Sequence, residues 1–476
     1  MDVTFVILPD YNKAKKRTKD DVIKEIYKLD TNLKIVGQNR LYYIKTYGCQ
    51  MNEHDTEVIK AVLEELGFIE TDNYKNADLV MLNTCSIREN AHNKAFGMLG
   101  RFKHLKESNK NLIIGICGCM AQEEVVVDKI LKNYKWVNFV IGTHNIHHLP
   151  QIINESLTNN KQEIEVFSEE GNIVEEMPVK RENKFRAFVN IIYGCDKFCT
   201  YCIVPMTRGK ERSRDPEDII REVNDLVKDG YKEVTLLGQN VNAYGKDFKN
   251  KYTMENLLVE VAKTGIERIK FITSHPWDFT DEMINGISEY DNIMPFIHLP
   301  VQSGSSRILK LMGRRYTSED YLVLVKKIKD RIPNVSLSTD IIVGFPGESD
   351  EDFSETLRLV DECKFDNAFT FIFSPREGTF ASKLIDDVTL SVKEERLHIL
   401  NEKVNSYVLL NNKNQIDKIV RVLVEGKNIK NKYSLYGYNE QNRLVNFNGS
   451  EDLIGKIVNV RVLDAKTWSL DGELVE

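Results

Sequence analysis

The chain has 476 residues, room for about three domains at roughly 150 residues each. Apolar residues make up 42% and charged residues 29%, which excludes a largely disordered chain. The 65 Lys and Arg against 72 Asp and Glu leave a net charge of −7, so a globally basic nucleic-acid binder is excluded and any basic surface is local.

Residues 1–40 read as a polar extension, basic at Lys13, Lys15, Lys16, Arg17 and Lys19, with a short helix predicted over 20–29. Its first apolar run follows no basic region and is cut off by Pro9-Asp10, so it does not read as a secretory signal. The six acidic residues up to Arg40 argue against a transit peptide, and no apolar run approaches the ~20 residues of a membrane span. A cytoplasmic protein is expected.

From Leu41 a repeating pattern begins. LYYIKT reads as a strand, 54–66 as a helix, ADLVMLNT as a buried strand, 89–106 as a helix, NLIIGIC as a strand and 122–133 as a helix. This alternation predicts a parallel α/β domain over 41–157. The polar and acidic stretch 157–184 reads as a boundary. A second series has strands predicted at 187–192, 233–237, 268–273, 295–299, 337–343 and 368–373, with helices between them. Six βα repeats, two short of a closed eight-stranded barrel, predict an open (β/α)6 barrel over 182–410. After a charged helix over 392–410, IVRVLVEG, LVNF and KIVNVRVLDA predict a small antiparallel β-barrel at 411–476, of a kind that binds oligonucleotides. The fold class is α/β.

Eight cysteines in a reducing compartment point to metal binding rather than disulfides. CDKFCTYC places Cys195, Cys199 and Cys202 on one loop directly after a predicted strand. Three soft thiolates suit iron–sulfur or zinc. A structural zinc site takes four ligands and no fourth Cys or His lies nearby, so a four-iron cluster with one open iron is favoured. Tyr201 sits where an aromatic packs on a bound ligand or simply on the loop.

Cys49, Cys85 and Cys119 are separated by 36 and 34 residues, one βαβ step each, and each lies just beyond a predicted strand. Side chains at the carboxyl ends of neighbouring parallel strands converge on one sheet edge. The alternatives are a metal site and three buried small side chains. Gly48-Cys49 and Gly118-Cys119 hold matching places relative to their strands, which leaves Cys117 inside its strand. Cys363 stands apart and is expected to pack in a helix.

CDKFCTYC after a strand, within a partial βα barrel, resembles the radical S-adenosylmethionine (SAM) superfamily. From Leu41 onward the arrangement resembles the methylthiotransferases, which join an N-terminal cluster domain, a radical SAM domain and a TRAM domain. GCQMNEHDTE, NTCSIREN, TRGKERSR at 207–214 and LKLMGRRYTSEDY at 309–321 are most similar to the branch acting on tRNA isopentenyladenosine.

The resemblance implies two 4Fe–4S clusters. One, on Cys195, Cys199 and Cys202, binds SAM and cleaves it to methionine and a 5′-deoxyadenosyl radical. The other, an auxiliary cluster on Cys49, Cys85 and Cys119, supplies sulfur, and a second SAM supplies the methyl group. At the barrel strand ends, Gly238, Gln239, Asn240, Ser274, Gln302, Ile342 and Gly344 are expected to contact SAM, as is Tyr201 beside the ligand loop. His298 reads as a hydrogen-bonded core histidine, and no acid/base pair is expected. The implied substrate is a tRNA anticodon loop. The implied partners are an electron donor such as flavodoxin or ferredoxin and proteins that repair the cluster or supply sulfur.

Arg208, Lys210, Arg212 and Arg214 follow the ligand loop, and residues 413–443 hold seven Lys or Arg against three Asp or Glu, with Tyr433, Tyr436 and Tyr438 among them. Arg208, Arg212, Arg421, Lys430 and Lys432 are therefore expected to meet RNA phosphates, with tyrosines free to stack on bases. Two other readings are a methylthiotransferase acting on threonylcarbamoyladenosine and a non-enzymatic RNA-binding protein with structural zinc.

Overall fold

A computed structural model of the chain describes residues 22–475, apart from 87–88, 160–162, 167–171 and 430–431. The basic stretch at 13–19 and Lys430 lie outside the described residues. The helix expected over 20–29 is replaced by a strand, β1 (Lys24–Ile26), and a single 3-10 turn at Thr31–Leu33. Tyr27, Leu29, Leu33 and Val36 pack on the N-terminal core, so tertiary burial overrides the local helical pattern.

The N-terminal domain is built from β2 (Leu41–Tyr47), β3 (Ile69–Glu70), β4 (Leu79–Thr84), β5 (Ile113–Gly118), β6 (Phe139–Ile141) and β7 (Glu163–Glu165). They form one sheet in the order β3-β2-β4-β5-β6-β7, parallel throughout. Helices Gln50–Glu65, Glu89–Ser108, Glu124–Asn133 and Leu149–Asn159 connect or follow these strands. Every residue of β4 and β5 is buried, which explains their continuous apolar run: a parallel sheet is covered on both faces. Next, β8 (Ile173–Glu175) pairs in parallel with β1, and Lys24 forms an ion pair with Asp218 of the following domain.

The second domain holds β9 (Arg186–Asn190), a short antiparallel pair of β10 (Ile192–Tyr193) and β11 (Arg212–Ser213), and then β12 (Glu233–Leu237), β13 (Arg268–Phe271), β14 (Phe296–His298), β15 (Ser336–Val343) and β16 (Asn367–Ile372). Two parallel three-stranded sheets, β9-β12-β13 and β14-β15-β16, form the open six-stranded barrel. They meet at the Ile269–Ile293 bridge and where Ser274 N donates to His298 O (3.3 Å). Helix starts follow the local sequence. Asp215 caps Pro216–Lys228, and Thr317/Asp320 and Ser349/Asp352 make capping boxes on Ser318–Arg331 and Asp350–Cys363. Cys363 is fully buried in the barrel core.

The C-terminal domain is a closed barrel of β17 (Ile419–Lys427), β18 (Leu435–Asn439), β19 (Leu444–Phe447), β20 (Ile457–Ala465) and β21 (Leu470–Val475). It is antiparallel as expected except for the β19–β21 pair, which closes the barrel in parallel. It docks on the amino ends of the large barrel's strands. Arg268, the first residue of β13, donates to Tyr438 O (2.8 Å) and Asn439 O (2.9 Å), and Arg186, the first residue of β9, pairs with Glu425 at 2.6 Å. The carboxyl ends of those strands, where such barrels carry their chemistry, face the other way.

Candidate functional site: two sets of thiols and the cleft between them

Cys49 leaves β2 as the N-cap of helix Gln50–Glu65, Cys85 directly follows β4, and Cys119 follows β5 at the start of a short 3-10 turn. Side-chain hydrogen bonds tie these three turns together. Asn52 Nδ2 donates to Asn83 Oδ1 (3.0 Å) and Thr84 O (3.1 Å), Asn83 Nδ2 returns to Asn52 O (2.8 Å), and Thr84 Oγ1 donates to Cys117 O (2.9 Å). The Cys49 Sγ donates to Asn52 Oδ1 at 3.4 Å. A hydrogen bond with the Cys85 thiol lowers the Cys49 pKa below the usual thiol value, and the Arg208 charge lowers it further against the opposing burial. Burial pushes the Cys119 thiol up to about 11, with Arg208 acting against it.

Gly118 makes the Cys119 turn possible. Its φ is +91°, and a Cβ there would lie 2.4 Å from both Asn83 Oδ1 and Thr84 O. Cys117 stays inside β5, fully buried, with its Sγ directed at Leu82 O (3.5 Å).

Cys195, Cys199 and Cys202 occupy the loop after β10. The loop is held by Cys195 N donating to Gly209 O (3.1 Å), Cys202 N to Cys199 O (3.0 Å) and Thr200 N to Met312 O (2.9 Å). Burial raises the Cys195 thiol and raises that of Cys202 to about 12. Arg314, also buried, donates from Nη1 to Cys199 Sγ at 3.5 Å and from Nη2 to Pro300 O at 2.7 Å. Among the described residues no three His, Cys, Asp or Glu side chains are grouped as ligands of a single ion. A four-iron cluster takes its thiolates on different irons and does not require such a group.

The barrel's strand ends fit a polar cofactor. Among the described residues, Asn240 Oδ1, Ser274 Oγ and His275 Nε2 are buried and have no hydrogen-bond partner. A buried orphan acceptor or donor is costly unless something fills it. Asn240 is oriented by its other amide atom, which donates to Asp278 Oδ2 (2.7 Å), and Asp278 also pairs with Lys197 of the thiol loop (2.6 Å). Burial, reinforced by the charges of Arg314, Lys197 and Lys246, depresses the His275 pKa, so its imidazole is neutral.

Gly238 follows β12 and lies against Ile192, where a Cβ would come within 2.4 Å of Ile192 Cγ2, and Gln239 beside it is half-buried. Gln302 is buried with φ +76°, and its backbone bridges to β15. Ile342 and Tyr201 each pack against a cluster that holds Ile308, Met312, Phe345 and Phe373. His298 bonds Ser338 Oγ at 2.8 Å.

The Gly344 amide donates to Glu348 Oε2 (2.9 Å), and Lys393 of helix Leu390–Lys413 stands where a Cβ would project. Two expectations need correction. Arg208 does not face solvent or RNA, being buried with Nη2 paired to Asp55 (2.6 Å) and Nε donating to Cys119 Sγ (3.1 Å). Arg212 is likewise buried in β11, with its guanidinium 5.8 Å from the Tyr193 ring centroid. The neighbouring Arg214 pairs with Glu175 (2.7 Å) and Glu222 (2.9 Å). In this basic run Arg208 and Arg214 are paired with Asp55, Glu175 and Glu222. On the C-terminal barrel, Arg421 is exposed and pairs with Glu440 at 2.9 Å, while Lys432 is exposed over the Tyr433 ring at 4.8 Å.

The residues after Cys119 and after Cys202 line one cleft of about 540 Å³, with Gln122, Glu123 and Lys129 on one wall and Ile203, Met206 and Glu377 on the other. Sequence reasoning missed Asp55, Asp278, His275 and Arg314. Arg314 lies in the segment LKLMGRRYTSEDY, but nothing local marks it as a partner of Cys199.

Three family profiles match this chain: "Uncharacterized protein family UPF0004" over residues 41–142, "Radical SAM superfamily" over 189–360 and "TRAM domain" over 413–475. Proteins of Staphylococcus aureus strains JH9 and Newman, both named tRNA-2-methylthio-N(6)-dimethylallyladenosine synthase, are 54% identical over 470 residues, covering 98% of this chain and 91% of theirs. The chain belongs to that methylthiotransferase family. Its fold is shared with a more distant solved structure, the radical SAM methyltransferase TsrM from Kitasatospora setae with cobalamin and a [4Fe-4S] cluster bound. That likeness has a TM-score of 0.52 at 13% identity, over 72% of this chain and 77% of the other. A second, the cobalamin-dependent SAM radical enzyme OxsB, gives 0.50 at 13% identity over 78% and 56%. Membership supports SAM and iron–sulfur clusters as the cofactors of this chain.

Proposed function

We propose that the chain adds a methylthio group to ring carbon 2 of N6-isopentenyladenosine, 3′ of the anticodon in tRNA. The observation that carries this reading is the cleft lined by residues that follow Cys119 on one wall and Cys202 on the other: the carbon that is activated must also receive the sulfur, so both sets would have to lie within reach of one substrate.

Cys195, Cys199 and Cys202 would hold a 4Fe–4S cluster and SAM, and Cys49, Cys85 and Cys119 an auxiliary 4Fe–4S cluster. When bound, these groups supply the reducing electron, the radical, the sulfur and the methyl group. The chain's own residues bind and orient. Asn240, fixed by Asp278, Ser274 and His275 offer unpartnered polar atoms to SAM, and Arg314 steadies the Cys199 sulfur.

Exposed Arg421 and Lys432, with Tyr433, are suited to phosphates and a stacked base of tRNA. A low-potential donor such as flavodoxin or ferredoxin would deliver electrons, and proteins that supply sulfur would restore the auxiliary site. Among the described residues no helix is long and apolar enough to cross a membrane, and a cytoplasmic location is proposed.

The test is nucleoside analysis of tRNA from a strain lacking the protein, together with iron analysis of the anaerobically reconstituted chain. Loss of the methylthio group from isopentenyladenosine is expected, with about eight irons bound and about four after Cys49, Cys85 and Cys119 are all replaced by Ala. Loss confined to threonylcarbamoyladenosine would assign the other branch, and zinc in place of iron would remove the radical chemistry.

A further inference from the structure

Arg208 lies six residues after Cys202, yet its side chain crosses into the other domain. It is 4% exposed. Nη2 holds Asp55 at 2.6 Å and Nε donates to Cys119 Sγ at 3.1 Å. One residue earlier, Thr207 O accepts from Thr143 Oγ1 at 2.7 Å, so the backbone on this side is also fastened across the domain boundary.

A buried guanidinium is costly unless its charge and its N–H groups are all engaged. Asp55 meets the charge. The Nε–H aimed at a sulfur is the part of the arrangement that a purely structural ion pair does not need. A planar fork can hold a carboxylate with one nitrogen while presenting another to a second acceptor, which a lysine ammonium cannot do in the same fixed geometry.

We propose that Arg208 is a positioning residue through which closure of the radical SAM domain on the N-terminal domain sets the reduction potential of the metal group held by Cys119. This rests on the auxiliary-cluster reading above. Hydrogen bonds to ligand sulfurs are among the levers that fix cluster potentials, because they stabilise the more negative, reduced form. With the domains closed, the N–H and its positive charge make that form more accessible. Without that bond the potential is lower. The loop that carries Cys195, Cys199 and Cys202 thereby also governs the second site.

The experiment uses the full chain carrying Cys195→Ala, Cys199→Ala and Cys202→Ala, so that any cluster present is the auxiliary one, reconstituted anaerobically and titrated by electron paramagnetic resonance. Introducing Arg208→Lys keeps the charge near Asp55 but removes the directed N–H. The reduced-to-oxidised ratio at fixed potential is expected to drop about tenfold, a 59 mV shift for one electron. Thr143→Val, which releases the backbone one residue before Arg208 and changes no charge, is expected to shift it in the same direction by less, and it carries the test if Arg208→Lys does not retain iron. A parent chain that binds no iron would overturn the auxiliary-cluster reading itself. Four irons bound, with an unmoved potential in the variant that retains them, would overturn the role of Arg208 alone.

Discussion

Cys195, Cys199 and Cys202 lie within eight residues on one loop, whereas Cys49, Cys85 and Cys119 span 71 residues and meet only because β2, β4 and β5 end on one edge of a parallel sheet. The first set is brought together by one loop, which Gly209 and Met312 fasten to the barrel. The second depends on strand register, on the Asn52–Asn83 lock and on a left-handed glycine, so a change far from any thiol can disassemble it. Each set is served by one buried arginine from outside its own loop, Arg314 at Cys199 and Arg208 at Cys119, and the second of these comes from a different domain.

The largest expected effect separates the sets by role. Cys195→Ala should abolish both 5′-deoxyadenosine and thiolated product. Cys119→Ala should retain slow SAM cleavage and leave isopentenyladenosine without its methylthio group. Product analysis with tRNA, SAM and a reductant measures both, and methylthio product from Cys119→Ala would remove that residue from the sulfur site. Cys117→Ala is the companion. Its thiol faces Leu82 O inside the sheet, so it should cost about 1 kcal/mol in stability and spare thiolation.

Next in size is a substitution that touches no thiol. Gly118→Ala must place a Cβ 2.4 Å from two oxygens at φ +91°, which strains the turn carrying Cys119. A loss of roughly 2–4 kcal/mol is expected, confined to the N-terminal domain. The iron retained should fall toward four while 5′-deoxyadenosine formation persists. Equal loss from both sites would mean that the loop set is not independent of that domain.

RNA binding is the third comparison. Removing residues 411–476 would strip the cover from Arg268 and Glu233, both nearly fully buried beneath β18, so truncation would damage the large barrel as well as RNA recognition. Point changes are the cleaner test. Arg421→Gln with Lys432→Gln should weaken tRNA binding and lower the slope of log affinity against log salt by about 0.7 for each phosphate no longer neutralised. An unchanged slope would take these residues out of the interface. Arg208→Lys should leave the slope unmoved, since its guanidinium is occupied inside the protein.

The parallel strands and the large barrel were legible because buried strands carry continuous apolar runs and their helices carry caps and periodicity. Strands β12 and β19 begin and end where the pattern placed them. In the C-terminal barrel β18 and β21 escaped notice; they carry Gly437 and Gly472 in their interiors, where each glycine lies against a neighbouring strand's backbone and breaks the alternation. In the N-terminal sheet β3, β6 and β7 escaped as well, being only two or three residues long. Of the sites, the loop thiols were evident from spacing and the sheet thiols from strand periodicity. The fate of TRGKERSR was not. A run of positive charge has the same sequence whether its partner is a phosphate or an aspartate 153 residues away.

The smallest effect belongs to the barrel alone. Glu348 follows β15, accepts from Gly344 N (2.9 Å) and Arg396 Nη1 (3.0 Å), and has its carboxyl raised to about 7 by burial, with Arg396 opposing. An unfolded glutamate titrates at roughly 4.3, so the folded chain holds the extra proton between that value and 7. The stabilising contribution is therefore present in full at low pH and is lost as pH rises through about 7. Glutamine preserves an oxygen acceptor and carries no charge, so Glu348→Gln should flatten that decline by about 3 kcal/mol at most. Denaturant midpoints at pH 5 and pH 8 measure it, and parallel declines in parent and variant would rule Glu348 out as the source. Because Arg396 keeps Asp350 at 2.7 Å, the variant should fold normally, and with no contact to either thiol set its iron content should match the parent's at both pH values.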